Sequence, residues 1–157
     1  MSPPPFERLL DDHGAVVLRV CRALLTIHEA DDAWAETFLS ALRAYPQLKD
    51  TSNLRGWLVT IAHRKAVDQI RRRQGSSAPS PDLGCVDRYP SDDDTGLWQS
   101  FDGLPPRQRE AVALHYIAGL PYRTVADLTG STPAAARRAA ADGVAALRRQ
   151  YRPEEDQ

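Results

Sequence analysis

The sequence predicts an all-α protein made of two small helical modules joined by a flexible acidic linker, with a helix-turn-helix in the second. Three observations predict this. Apolar residues recur at helical spacing through residues 54–73 and again from 106 to 151. Between them GSSAPSPDLGCVDRYPSDDDTG, rich in Ser, Pro, Gly and Asp, carries no periodic apolar pattern. Charge is also sorted into blocks. The net charge is −1 overall, but residues 54–74 carry +5, residues 75–103 carry −5 and residues 104–153 carry +5. These blocks place the boundaries at 1–74 for the first module, 75–96 for the linker and 97–152 for the second module.

In chain order, Phe6 to Ile27 reads as a helix or a broken pair, with a stripe of Val16, Val20, Leu24 and Ile27, and Gly14 as a candidate bend. His28 to Asp32 reads as a polar break. A second helix is expected from Asp31 to Tyr45, with Trp34, Phe38, Ala41, Leu42 and Tyr45 on one side. Acids in its first turn suit the positive end of the helix dipole, and Pro46 marks its end. Thr51, Ser52 and Asn53 are N-cap candidates for a central helix from Leu54 to Arg73. Leu58, Ala62, Ala66 and Ile70 form its apolar ridge, and Gln74-Gly75 its C-terminal signal. A short helix is expected from Ser91, packing Leu97, Trp98, Phe101 and Leu104 onto the second module. Pro106 to Ala118, ended by Gly119, and the short Pro121 to Leu128 come next. After the Thr129-Gly130-Ser131 turn, with Thr132 as cap, an alanine-rich helix runs from Pro133 to Tyr151. Short helix, glycine-bearing turn and longer helix form a helix-turn-helix, whose second helix would enter a major groove by its N-terminal part.

Function classes narrow accordingly. Two basic blocks separated by an acidic spacer suit two contact points on one polyanion. DNA phosphate is the obvious candidate, because neutralising phosphates releases counterions. Cys21 and Cys85 match no metal or redox spacing and read as ordinary thiols of a reducing compartment. The four histidines show no metal-ligand spacing, and no phosphate-cradling loop or nucleophile elbow occurs. Neither metal, cofactor nor catalysis is expected. No apolar run approaches membrane-spanning length and the start lacks a signal-peptide pattern, so a cytoplasmic protein without membrane insertion is expected.

DDAWAETFLSAL followed by LRGWLVTIAHRKAVDQIRRR resembles region two of bacterial RNA polymerase sigma factors of the small extracytoplasmic-function type. LPPRQREAVALHYIAGLPYRTVADLTG resembles the start of their region four. The resemblance covers about Phe6 to Arg149. It implies an alternative sigma factor, which binds core polymerase and directs promoter recognition and opening with no chemistry of its own. The helix with Asp31, Asp32, Glu36 and Leu39 would dock on the β′ subunit, within a core that also includes β. The central helix would open and read the minus-ten element through Arg55, Thr60, His63, Arg64, Lys65, Arg71, Arg72 and Arg73, with Trp57 as a packed core residue. Arg123, Thr132, Ala135, Arg137 and Arg138 would meet the minus-thirty-five element. An anti-sigma factor is a further partner that the resemblance implies.

The chain departs from the family where Ala35 stands for a frequent glutamine and Arg64 for a frequent asparagine. The larger departure is the recognition helix, AAARRAAADGV against a family pattern near GTVKSRLHRAR. Arg137 keeps one basic position and Arg138 adds one, while Ala139 and Asp142 replace two usual arginines. Gly143 costs roughly 1 kcal/mol of helix propensity relative to alanine. These departures motivate an alternative reading, a sigma-like regulator that keeps polymerase or DNA binding but has lost normal minus-thirty-five recognition.

Overall fold

The computed structural model describes residues 4–75 and 95–150, and all regular structure among them is helical. The first three helices are α1 (Phe6–Leu24), α2 (Ile27–Ala44) and α3 (Leu54–Gly75), with a 3₁₀ turn at Tyr45–Gln47. Their shared core holds Leu9, Val17, Val20 and Leu24 of α1, Phe38 and Ala41 of α2, and Leu58, Val59, Ala62 and Ala66 of α3. Each fully buried leucine, valine or phenylalanine contributes about 1.5–3 kcal/mol relative to exposure. The expected ridge of α3 is therefore its buried face, with Ile70 partly buried at the end. Trp57 packs against the core, its ring 6.2 Å from Tyr45. Asn53 caps α3 by accepting from the Gly56 N–H at 3.0 Å.

Three expectations for this half are corrected. Gly14 makes no bend: α1 runs through it, because its carbonyl accepts from Trp34 Nε1 at 2.9 Å and the indole covers it. The second helix begins at Ile27, four residues early, because the Glu29 carboxylate accepts from both the backbone N–H (3.2 Å) and the hydroxyl (2.9 Å) of Thr26. That Thr-x-x-Glu arrangement caps a helix, so His28 to Asp32 is its first turn. Leu42 does not join Trp34 and Phe38 inside; it is 50% exposed.

The other helices are α4 (Thr95–Asp102), α5 (Pro106–Val112), α6 (Tyr122–Thr129) and α7 (Pro133–Gln150). The expected start at Ser91, most of the linker and Tyr151 lie outside the described residues. Arg109 ties α4 to α5. It donates to the carbonyls of Phe101, Asp102 and Leu104 at 2.9–3.0 Å, which a helix C-terminus would otherwise leave unpaired. The helix begun by α5 widens into a π-turn at Ala113–Ile117, where Ala118 N–H donates to the Ala113 carbonyl. Gly130 takes the left-handed conformation, φ +69°, that lets the chain turn from α6 to α7.

Gly143 has a packing reason. A Cβ there would lie 2.6 Å from Val112 Cγ2 and 3.2 Å from the Gln108 carbonyl, so α5 and α7 approach more closely than any larger residue allows. The two halves also pack on each other. α1 contacts α4, α5 and the π-turn, and His63 Nε2 of α3 lies 3.2 Å from Glu110 Oε1 of α5.

Candidate nucleic-acid and protein interfaces

Three surfaces gather the residues that the sequence singles out. The first is the basic surface of α3: at 100° per residue Arg64 and Arg71 point away from the buried Leu58, Ala62 and Ala66, Lys65 and Arg72 lie on the flank, and Arg55 and Arg73 stand at the two helix ends on the side of the buried ridge. Arg55, Arg64, Arg71, Arg72 and Arg73 are exposed and Lys65 is half-buried. Arg71 to Arg73 stand at the helix C-terminus, where the dipole favours positive charge. Arg73 is already engaged. Its Nη2 donates to Glu29 Oε1 at 2.6 Å and its Nε to Glu29 Oε2 at 3.2 Å, a two-pronged bond that clamps the end of α3 to the start of α2. Thr60 is also engaged, its hydroxyl donating to the Gly56 carbonyl at 2.7 Å. His63 is only 5% exposed and faces Glu110 rather than open solvent. Arg55 lies at the edge of the second half, where Gly119 is close by.

The second surface is the outer side of α2. Asp31 and Asp32 are exposed in its first half and Glu36 is half-buried. Leu39 is 53% exposed and Leu42, three residues on, 50% exposed. Two large aliphatic side chains left in solvent on one helix, beside a row of acids, suit a partner surface with basic and apolar residues. Leu39 is singled out by the family resemblance, whereas Leu42 is expected inside, because apolar spacing alone cannot tell an inward leucine from an outward one.

The third surface is the helix-turn-helix. Arg123, Thr132, Ala135, Arg137 and Arg138 are all exposed. Thr132 caps α7, accepting from the Ala135 N–H at 3.1 Å. Ala136, Ala140 and Gly143 are the buried side of α7. At 100° per residue Arg138 therefore points directly outward and Arg137 lies on the flank toward α6. There its guanidinium sits over the Tyr122 ring, 5.3 Å from the centroid. His115 stacks on the same ring, with centroids 3.8 Å apart and planes 15° from parallel. Burial and a hydrogen bond with Tyr116 push the Tyr122 phenol above its ordinary range. No sequence signal pointed to this cluster, since it joins residues from three separate elements. Among the described residues, no group of acids, histidines and cysteines could hold a metal ion, and no helix is long and apolar enough to cross a membrane.

Comparison with known proteins matches the same two halves. Residues 9–76 fit the family model of Sigma-70 region 2, and residues 96–147 that of Sigma-70, region 4. The RNA polymerase sigma factor CarQ of Myxococcus xanthus is 30% identical over 132 residues, covering 76% of this chain and 72% of CarQ. The ECF RNA polymerase sigma factor SigK of Mycolicibacterium vanbaalenii is 33% identical over 104 residues, covering 59% of this chain and 53% of SigK. The chain thus spans about half the length of that relative. Among solved structures, the sigma factor RpoE in complex with the anti-sigma factor NepR from Bartonella quintana superposes with a TM-score of 0.74. It is 22% identical, with 97% of this chain and 98% of RpoE covered. CnrH in complex with the cytosolic domain of CnrY gives 0.62 at 19% identity, covering 90% and 84%. At those identities the two structures establish the fold.

Proposed function

From the premise that this chain belongs to the sigma-70 family of RNA polymerase sigma factors, in its extracytoplasmic-function type, we propose that it is an alternative sigma factor. It binds core polymerase in the cytoplasm and directs promoter recognition and opening, without cofactor or chemistry of its own. Residues 1–74 and 97–152 act as its two functional units. Asp31, Asp32, Glu36 and Leu39, joined by Leu42, dock on the β′ subunit. Arg64, Lys65, Arg71 and Arg72 hold the DNA backbone at the minus-ten element. Arg123, Arg137 and Arg138 meet the upstream duplex. A protein of the anti-sigma class restrains it, a reading supported by the NepR complex of RpoE. The observation that carries the proposal is the pairing, on adjacent packed helices, of an exposed acidic and aliphatic surface with an exposed basic row.

The test is run-off transcription by purified core polymerase over fragments of the source genome, with and without this protein. Discrete new transcripts are expected, with a shared upstream sequence. The absence of both transcripts and binding to the core would overturn the proposal.

A further inference from the structure

The cluster around Tyr122 is not accounted for by packing alone. Tyr122 is only half-buried, yet it is held from several sides. His115 stacks on it at 3.8 Å, and His115 is itself fixed because its Nδ1–H donates to the Leu120 carbonyl at 2.8 Å. The surrounding backbone is also pinned. Ala118 N–H donates to the Ala113 carbonyl, Gly119 N–H to that of His115 and Leu120 N–H to that of Leu114, each at 3.0 Å. The π-turn thus sets the imidazole, the imidazole sets the phenol ring, and the ring lies under the Arg137 guanidinium. Among the described residues Arg137 makes no ion pair, so the aromatic face is what holds it. Arg138, next to it, has no such support among the described residues and points outward.

We infer that Tyr122 is a positioning residue for DNA recognition: its ring, stacked on His115, holds Arg137 ready for a phosphate of the upstream duplex. This rests on the proposed duplex contact of the helix-turn-helix. A long arginine side chain loses rotamer freedom when it binds, and holding it beforehand removes part of that cost. A planar cation over an aromatic ring keeps its N–H edges available for a phosphate while its face is covered. With the family's other basic positions taken by Ala139 and Asp142, the module depends more on the arginines it retains.

The test is a double-mutant cycle in the full chain bound to core polymerase, on a promoter fragment recovered by run-off transcription. Tyr122→Ala is expected to weaken binding about two- to fivefold, the range for a partly exposed cation–aromatic contact. Its salt slope should stay unchanged, because the charge remains. Arg137→Ala should lower that slope by about one. In the Arg137→Ala background, Tyr122→Ala should have no further effect. Tyr122→Phe, which keeps the ring and removes only the hydroxyl, should bind like the parent and serves as the fold control. Equal losses from Tyr122→Ala in both backgrounds, with the parent binding normally, would overturn the inference alone. A parent chain that neither yields transcripts nor binds the upstream duplex would overturn the proposed function, and the inference with it.

Discussion

Replacing Gly143 with alanine separates what local sequence dictates from what packing dictates. Alanine in place of a helix-interior glycine gains about 1 kcal/mol of propensity. On the sequence alone Gly143→Ala should therefore stabilise the protein. The structure gives the opposite sign. The added methyl would lie 2.6 Å from Val112 Cγ2, 3.2 Å from the Gln108 carbonyl oxygen and 3.4 Å from Gln108 Cβ. Carbon atoms in contact prefer about 3.5–4.0 Å. Val112 cannot swing aside, being β-branched, helical and 3% exposed. The Gln108 oxygen belongs to the backbone of α5 and moves only with that helix. Overpacking of this kind costs roughly 1–3 kcal/mol. Against the propensity gain, the expected net effect is a loss of about 1 kcal/mol, or about 2–4 °C in Tm for a chain of this size.

Thermal and urea unfolding followed by far-UV circular dichroism measure it. Val112→Ala removes the clashing methyl, so its cost should be smaller in the Gly143→Ala background than in the parent, with a coupling of about 1 kcal/mol. A Gly143→Ala protein that melts about 2–4 °C higher, or a cycle whose two costs simply add, would refute the reasoning. The α5–α7 approach would then be too loose to exclude a methyl group.

Other perturbations separate the surfaces. Arg71→Ala/Arg72→Ala should lower the salt slope of promoter binding by about two, with little dependence on DNA sequence. Arg73→Ala should leave that slope nearly unchanged and cost up to about 1 kcal/mol of stability, since its bond to Glu29 is partly solvent-screened; an equal slope change in both variants would contradict the division. Asp142→Arg should tighten binding to upstream duplex in a filter or anisotropy titration, and an unchanged affinity would mean that this exposed position faces away from DNA. Burial pushes the Cys21 thiol from 9.0 up to about 12, so in a Cys85→Ser background it should resist a thiol reagent at about pH 8 until the protein unfolds. The unfolded chain loses that proton first, so the stability held by the neutral thiol is intact below pH 9 and lost between pH 9 and 12. Fast labelling of the native protein would show that α1 opens.

Much of the fold was legible because helices that bury one face write a 3.6-residue period into the sequence. α3 shows this best, with Leu58, Ala62 and Ala66 inside as expected. Two of the errors, at Gly14 and Gly143, share one cause, a local signal overruled by a neighbour that is distant in sequence, whereas Leu42 was misplaced because apolar spacing does not tell an outward leucine from an inward one. Gly14 looked like a break, but the Trp34 indole covers it. Gly143 looked like a weak point, but Val112 and Gln108 crowd it. The early start of α2 is the exception. Thr26 and Glu29 stand at capping-box spacing and could have been read directly. The tertiary pairs could not: His63 with Glu110 are 47 residues apart, and Arg73 with Glu29 are 44 apart. No periodicity carries such information.

That last pair changes what the charge pattern of α3 means. From sequence, residues 54–74 offer six cations against one acid, as if all six were available to a polyanion. In the folded chain Arg73 spends its guanidinium on Glu29, and Arg55 stands at the boundary with the second half. Arg64, Arg71 and Arg72 remain exposed, with Lys65 half-buried beside them. A helix with about four usable cations releases about three to four counterions from DNA, not about five or six. The clamp also does what a free arginine could not. It fixes the end of the basic helix to the first turn of the helix that carries Leu39 and Leu42. A single carboxylate, Glu29, both caps α2 and anchors the end of α3, so its bonds add to the shared core in fixing the proposed polymerase-facing and DNA-facing surfaces relative to each other. Glu29→Ala should therefore disturb the two surfaces together, whereas Arg71→Ala or Leu39→Ala should each disturb one.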